Sequence, residues 1–276
     1  MTPTKVETRA YSWHLQAIGD GPVMLLLHGA GASGQSFRHL ITYLKDRHRL
    51  LIPDLPGHGQ TRAKTRGRLR LDPIAEDLAD LCQTLDVTPE VVVGHSAGAA
   101  MGARCCLNAS QTKAFIALNG AFEMFEGMAT WLFPLLAKTL AVNPLIAPIF
   151  ARSMTRARVG ELLRATGSQI DQKGQNIYYD LMRNRHHVDG VLKMMAGWSL
   201  TKLNQDLPKL QVPTLLIAGE EDRAVPPRVS QDLADRIPGA QFQSFQGLGH
   251  LIHEEAPEEI TNILHAFVSG LYAQSP

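Results

Sequence analysis

Two short stretches of the chain carry residue types suited to acyl transfer. Gly94-His95-Ser96-Ala97-Gly98 puts a serine between glycines, directly after the apolar run 91–93 and directly before the small-residue run 99–107. A serine hydroxyl becomes an accessible nucleophile on a sharp strand-to-helix turn, and the crowding of that turn tolerates only glycine two positions to either side. The helix that follows aims its first N–H groups at the same spot. His28-Gly29-Ala30-Gly31 closes the apolar run 23–27, and its glycines let backbone approach a substrate closely. In acyl transfer negative charge grows on the former carbonyl oxygen, so two preset backbone donors there lower the barrier by several kcal/mol. Ala30 and Ala97 are the expected donors. A plain glycine turn is the bland alternative, and His28 reads as a structural residue of the pocket rather than as a catalytic group.

A base and an acid are needed to activate the serine. Gly219-Glu220-Glu221-Asp222-Arg223-Ala224-Val225-Pro226 follows the run 214–218 and offers three adjacent acids. Asp222 is preferred because it lies furthest into the loop, just before a Val-Pro-Pro segment that can fix the backbone, whereas Glu220 and Glu221 can simply be solvated. At the equivalent place after 115–118 stands Asn119, which cannot supply a charge to an imidazolium. Gly247-Leu248-Gly249-His250 follows the run 241–245. His250 is the expected general base: it takes the Ser96 proton and returns it to the leaving group, while Asp222 orients the ring. His186-His187 reads as a surface helix end rather than a metal site, since no third ligand is spaced nearby, and His58 as a turn residue.

These groups need a scaffold that brings distant loops to one edge. The apolar runs 23–27, 50–52, 91–93, 115–118 and 214–218 predict strands buried on both faces. Amphipathic segments lie between them, such as 73–85, where Ile74, Leu78, Leu81, Cys82 and Leu85 fall at helical spacing. The βαβα alternation predicts a mostly parallel sheet flanked by helices, closed by a strand at 241–245 and a helix at 257–271. The rhythm breaks between residue 120 and about 203, so a helical cap inserted at about 121–203 is expected within a single domain. Most of the cap's apolar residues, Phe122 and Met194 among them, must pack it on the core. Met128, Trp131, Met195 and Trp198 are the expected walls of a roomy apolar cleft over Ser96, suited to a bulky hydrophobic substrate.

Bulk properties narrow the function. The 276 residues hold 27 Lys and Arg against 26 Asp and Glu, a net charge of +1 that predicts no nucleic-acid partner. The start lacks the uninterrupted apolar region of a signal peptide, the longest apolar stretch is broken by prolines, and Cys82, Cys105 and Cys106 form no disulfide framework. A cytoplasmic protein without a transmembrane segment is expected. Arg62, Lys64, Arg66, Arg68 and Arg70 crowd one stretch, read as a solvated loop with a docking patch as the alternative.

The serine turn, the His28-Gly29 turn and the acid and histidine loops, in the order Ser96, Asp222, His250, resemble the α/β-hydrolase superfamily over almost the whole chain. A narrower resemblance lies in the cap. Leu118-Asn119-Gly120-Ala121, Ala165-Thr166-Gly167-Ser168, Met194-Met195-Ala196-Gly197-Trp198, Asp206-Leu207-Pro208 and, beyond the cap, Asp222 to Pro227 are similar to the magnesium-chelatase accessory proteins of bacteriochlorophyll biosynthesis. One departure is Ala30, where the resemblance implies threonine; a backbone donor survives that change and a side-chain hydroxyl does not. The resemblance implies an α/β-hydrolase fold, a role near magnesium insertion into a tetrapyrrole in photosynthetic bacteria, and a chelatase subunit as partner. The residues themselves point to a serine esterase working without metal or organic cofactor. The alternative is an accessory protein that holds a porphyrin intermediate or a chelatase subunit with its triad idle. Serine at the turn disfavours dehalogenase or epoxide-hydrolase chemistry, which requires aspartate there.

Overall fold

The computed structural model describes residues 4–65, 67–109, 111–123, 143 and 145–273. Its strands are β1 (Thr4–Glu7), β2 (Tyr11–Ile18), β3 (Val23–Leu27), β4 (Arg49–Pro53), β5 (Arg62–Ala63), β6 (Val91–His95), β7 (Ala114–Leu118), β8 (Thr214–Gly219) and β9 (Gln241–Phe245). They join one sheet in the order β1-β2-β4-β3-β6-β7-β8-β9, with β5 paired to β2. Every pairing from β4 across to β9 is parallel. The loops after β3, β6, β7, β8 and β9 therefore emerge at one edge, the carboxyl edge at which open α/β sheets bind ligands.

Parallel strands are buried on both faces, which is why they read as continuous apolar runs. Leu25, Leu27, Val92, Phe115, Ala117 and Leu216 pack in one layer with helices α2 (Leu71–Thr84) and α3 (Ala97–Asn108). Their sequence neighbours Met24, Leu26, Val91, Val93, Ile116 and Leu118 pack in the opposite layer with α1 (Arg38–Leu44) and the C-terminal helix Pro257–Ala273. Each such Leu or Val contributes about 1.5–3 kcal/mol by leaving water.

The antiparallel end of the sheet was not expected. In β2 the apolar Tyr11, Trp13 and Leu15 alternate with Ser12, His14 and Gln16, the period of a strand with one face toward the core. Trp13 is fully buried, so this segment carries a large share of the core's aromatic surface.

Among the described residues, five α-helices lie between β7 and β8 in sequence: α4 (Ile146–Ser153), α5 (Arg156–Ala165), α6 (Gln172–Arg183), α7 (Arg185–Ala196) and α8 (Thr201–Asp206). Side chains start three of them: Thr155 accepts from the Arg158 amide, Asp171 from Gly174, and Asn184 from His186 and His187. Met154, Val159, Leu163 and Tyr178 of this insertion cluster with Ala32 and Leu251 on the sheet-edge loops. The Arg38 guanidinium ties the insertion down as well, pairing with Asp171 at 2.6 Å and with buried Glu254, to which the Tyr178 hydroxyl donates at 2.8 Å. The C-terminal part follows as α9 (Pro227–Ala234), the short α10 (Ile252–Glu255) and α11 (Pro257–Ala273). Among the described residues no helix is long and apolar enough to cross a membrane, and no group of three or more His, Cys, Asp or Glu is placed to hold a metal ion.

Candidate active site

Ser96 sits between β6 and α3 with φ 53° and ψ −120°. A non-glycine residue in this region is strained, at a cost of order 1–3 kcal/mol, and persists only where its surroundings over-determine it. They do so here. The Ser96 amide donates to Leu118 O at 3.0 Å, and the Ser96 carbonyl accepts from Ala99 at 3.0 Å and Ala121 at 3.1 Å. The flanking glycines are sterically required: a Cβ on Gly94 would stand 2.4 Å from Ala99 Cα, and one on Gly98 would stand 2.2 Å from Leu27 O.

His250 Nδ1 lies 2.7 Å from Asp222 Oδ2. A carboxylate only accepts, so the ring proton is on Nδ1 and Nε2 is left as the basic nitrogen. Asp222 is held on every side: Asn119 Nδ2 donates to Oδ2 at 2.6 Å, and the Ala224 and Val225 amides donate to Oδ1 at 2.8 Å each. The acid position preferred in the sequence is thus the one in contact with His250. Glu220 instead accepts from Ser244. Asn119 is no bystander at the end of β7. It adopts φ 47° and turns its amide to the carboxylate, a role that the sequence alone did not suggest.

On the other flank of Ser96, Ala97 opens α3, so its N–H is among those that the helix leaves without an acceptor. The Ala30 amide is positioned indirectly. Leu55 N donates to His28 Nε2 at 2.9 Å, which places the His28 proton on Nδ1, and Nδ1 lies 2.8 Å from Gly29 O. Gly29 C=O and Ala30 N–H belong to one trans peptide plane and point opposite ways, so anchoring the carbonyl inward turns the amide outward.

Ser96, His250, Ala30 and Ala97 share a cavity of about 520 Å³. Met195 and Trp198 line it, together with Val191, Val225 and Val229. Met128 and Trp131 lie outside the described residues. His28 does not line the pocket: it is fully buried beneath the Gly29 turn, because both of its nitrogens are engaged by backbone. Phe122 and Met194 are likewise core residues.

Comparison with known proteins agrees with this architecture. A family model described as alpha/beta hydrolase fold matches residues 22–257. The chain belongs to the α/β-hydrolase family. It is 46% identical over 252 residues to the magnesium-chelatase 30 kDa subunit of Rhodobacter capsulatus, covering 91% of this chain and 88% of that protein. It is 28% identical over 268 residues to a pimeloyl-[acyl-carrier protein] methyl ester esterase of Xanthomonas campestris pv. campestris, covering 94% of this chain and 99% of the relative. Among solved structures, an esterase from Thermogutta terrifontis superposes with a TM-score of 0.77 at 23% identity, over 98% of this chain and 99% of that one, a likeness of fold.

Within this α/β-hydrolase the helical insertion touches the loops of both Asp222 and His250. The turn after α5 wedges between them: Arg223 N donates to Thr166 O at 3.1 Å, and Leu251 N donates to the buried Ser168 hydroxyl at 2.8 Å. Gly167, at φ 87°, is so close to the acid loop that a Cβ there would stand 1.8 Å from Glu221 O. Glu255 completes the seam, accepting from Gly249 N at 3.2 Å and Gln169 N at 3.1 Å. Beneath the same loops His95 Nε2, 2.8 Å from His250 O, links the serine turn to the histidine loop.

One surface reading needs correction. His187 is no exposed helix end: it is buried, its Nδ1 accepts from Gly59 N at 3.0 Å, and its Nε2 lies 3.2 Å from Gly31 O. Burial drives its pKa down to about 4, so the ring is neutral at pH 7 and can both accept and donate. The basic stretch is tied down locally. Lys64 pairs with Glu7 at 2.6 Å, Arg68 with Asp77 at 2.8 Å, and Arg62 donates to Gly59 O at 2.9 Å. Arg66 lies outside the described residues.

Proposed function

We propose that this α/β-hydrolase is a serine esterase that cleaves an ester or similar acyl bond of a bulky apolar substrate in magnesium-tetrapyrrole (bacteriochlorophyll) biosynthesis. One observation carries the reading: a strained, accessible serine shares an apolar cavity with a histidine whose ring is fixed by an aspartate. Ser96 Oγ attacks the ester carbonyl carbon and gives its proton to His250 Nε2. The Ala30 and Ala97 amides hold the resulting oxyanion. Collapse breaks the C–O bond, His250 returns the proton to the departing alkoxide, and water repeats the sequence to release the acid and free Ser96. The helical insertion acts as the cap over this site. The pathway assignment and a magnesium-chelatase subunit as partner rest on the 46% identity to a protein that bears the chelatase name.

That same identity favours a second reading, in which the protein binds a porphyrin intermediate or a chelatase subunit and its triad is idle. A fluorophosphonate probe followed by mass spectrometry separates the two. Under the esterase reading Ser96 is labelled in the wild type, and the labelling is lost in both Ser96→Ala and His250→Ala. Folded wild-type protein that resists the probe, while binding a tetrapyrrole equally well with and without Ser96, overturns it.

A further inference from the structure

The cavity over Ser96 is apolar along most of its wall, where Ala121, Val191, Met195, Trp198, Val225 and Val229 face it, yet it is not uncharged. Glu123, Arg223 and Arg228 also border it. Arg228 stands 3.7 Å from Glu123 and 3.8 Å from Asp232. Asp222 is committed to His250, Asn119 and two amides, and Glu220 and Glu255 accept from other donors. Arg223 differs from all of these: with the described residues its guanidinium forms neither a hydrogen bond nor an ion pair, and exposed Glu221 does not reach it.

An exposed arginine is ordinarily no more than solvated surface. Two facts set this one apart. It borders the same cavity as the nucleophile, and its backbone is fixed, with Arg223 N on Thr166 O and the preceding carboxylate tied on both oxygens. The guanidinium therefore swings from an anchored point beside Asp222. It offers a planar pair of donors that fits a carboxylate in bidentate fashion, next to walls that shed water and so strengthen the contact.

We propose that the site takes esters of apolar acids that carry a second, free carboxylate, and that Arg223 holds this carboxylate while Ser96 attacks the ester carbonyl. The proposal rests on the esterase reading and deepens it. Arg223 takes no proton and forms no bond to the reacting atoms, so it acts on which ester is chosen.

The test uses two p-nitrophenyl esters of one long-chain dicarboxylic acid, the first with its far carboxylate free and the second with it methylated. The expected kcat/KM ratio, free over methylated, is about tenfold or more at low salt and shrinks as salt screens the pair. Arg223→Gln is expected to bring the ratio near one, and Arg223→Glu to favour an ester whose far end is an amine. A ratio unchanged by Arg223→Gln overturns the proposal even when both esters are turned over. Failure to hydrolyse either ester sinks the esterase reading, and binding then decides separately. The monomethyl ester of the same diacid is titrated into Ser96→Ala protein with and without Arg223→Gln. A loss of about tenfold in affinity on removing Arg223 supports the carboxylate site. Equal affinity, or no binding to either protein, overturns it.

Discussion

The two flanks of Ser96 are built from different polar chemistry. On one, Asp222 receives hydrogen bonds from His250, Asn119, Ala224 and Val225, so a carboxylate organises the loop through contacts that are strong because one partner is charged. On the other, neutral imidazoles do the organising. His28, His58 and His187 stack edge to face, with centroids 5.2 and 5.3 Å apart. Burial lowers the pKa of each, first and foremost. A neutral ring has one donor and one acceptor nitrogen, so it can clamp a carbonyl and an amide at once without bringing charge close to the place where an oxyanion would form. The neutral flank is not free of charge, since buried Asp54 accepts from the Gly34 amide at 2.9 Å and the Gln60 amide at 2.8 Å, but the contacts to Gly29 O, Gly31 O and Gly59 N are made by imidazoles.

The flanks should differ most when each loses its organiser. Asp222→Asn keeps the shape but fixes the wrong His250 tautomer, with an expected fall in kcat of about 10⁴. His28→Leu leaves the Gly29 carbonyl held only by the Ala32 amide at 3.2 Å and so loosens the Ala30 amide, with an expected loss no larger than that of one oxyanion donor, about 10²-fold. Steady-state turnover of a single activated ester by both variants measures the gap. Equal losses would mean that the neutral flank is as essential as the charged one, and the comparison would fail.

A smaller effect is expected at the seam with the insertion. Ser168→Ala removes the acceptor for Leu251 N, directly after His250, and leaves that buried amide unpaired, at about 1–3 kcal/mol of stability. If the seam holds His250 in place, kcat falls while KM stays near its wild-type value, and Ser168→Thr restores both. A change in KM alone would instead make the turn a wall of the substrate site.

The two flanks also differ in how far they were legible in the sequence. Ser96, Asp222 and His250 were readable because each follows an apolar strand and is marked by local grammar: glycines two residues either side of the serine, a Val-Pro-Pro segment after the acid, and glycines before the histidine. Parallel strands then carry the loops to one edge whatever the insertion does. The supports were not readable. Ser168 is 83 residues from Leu251, and His187 is 128 residues from Gly59, so their roles exist only once the insertion has docked. Solvated His186 and buried His187 are adjacent and identical in type, and only the direction of one helical side chain separates them. The antiparallel strand β2, by contrast, did carry its signal, in the alternation of Tyr11, Trp13 and Leu15 with polar neighbours.

The neutral flank should make itself known in acid. His187 has a pKa of about 4 in the folded protein against 6.5 in the unfolded chain, so between these values the unfolded state binds a proton that the native state refuses. Stability therefore rises with pH across this window and is lost as pH falls through it, by up to about 1.4 kcal/mol per pH unit for one histidine. Protonation would also turn the Nδ1 acceptor into a donor facing Gly59 N–H, so the insertion should loosen from the Gly31 and Gly59 turns first. His187→Gln removes this titration. Between pH 7 and pH 5 the variant should lose about 2 kcal/mol less stability than the wild type, measured by urea midpoints at the two pH values with m-values unchanged. Identical losses in the two proteins would show that His187 is protonated in the folded state at pH 5. The neutral clamp between insertion and sheet edge would then be wrong, while the charged flank at Asp222 would stand unaffected.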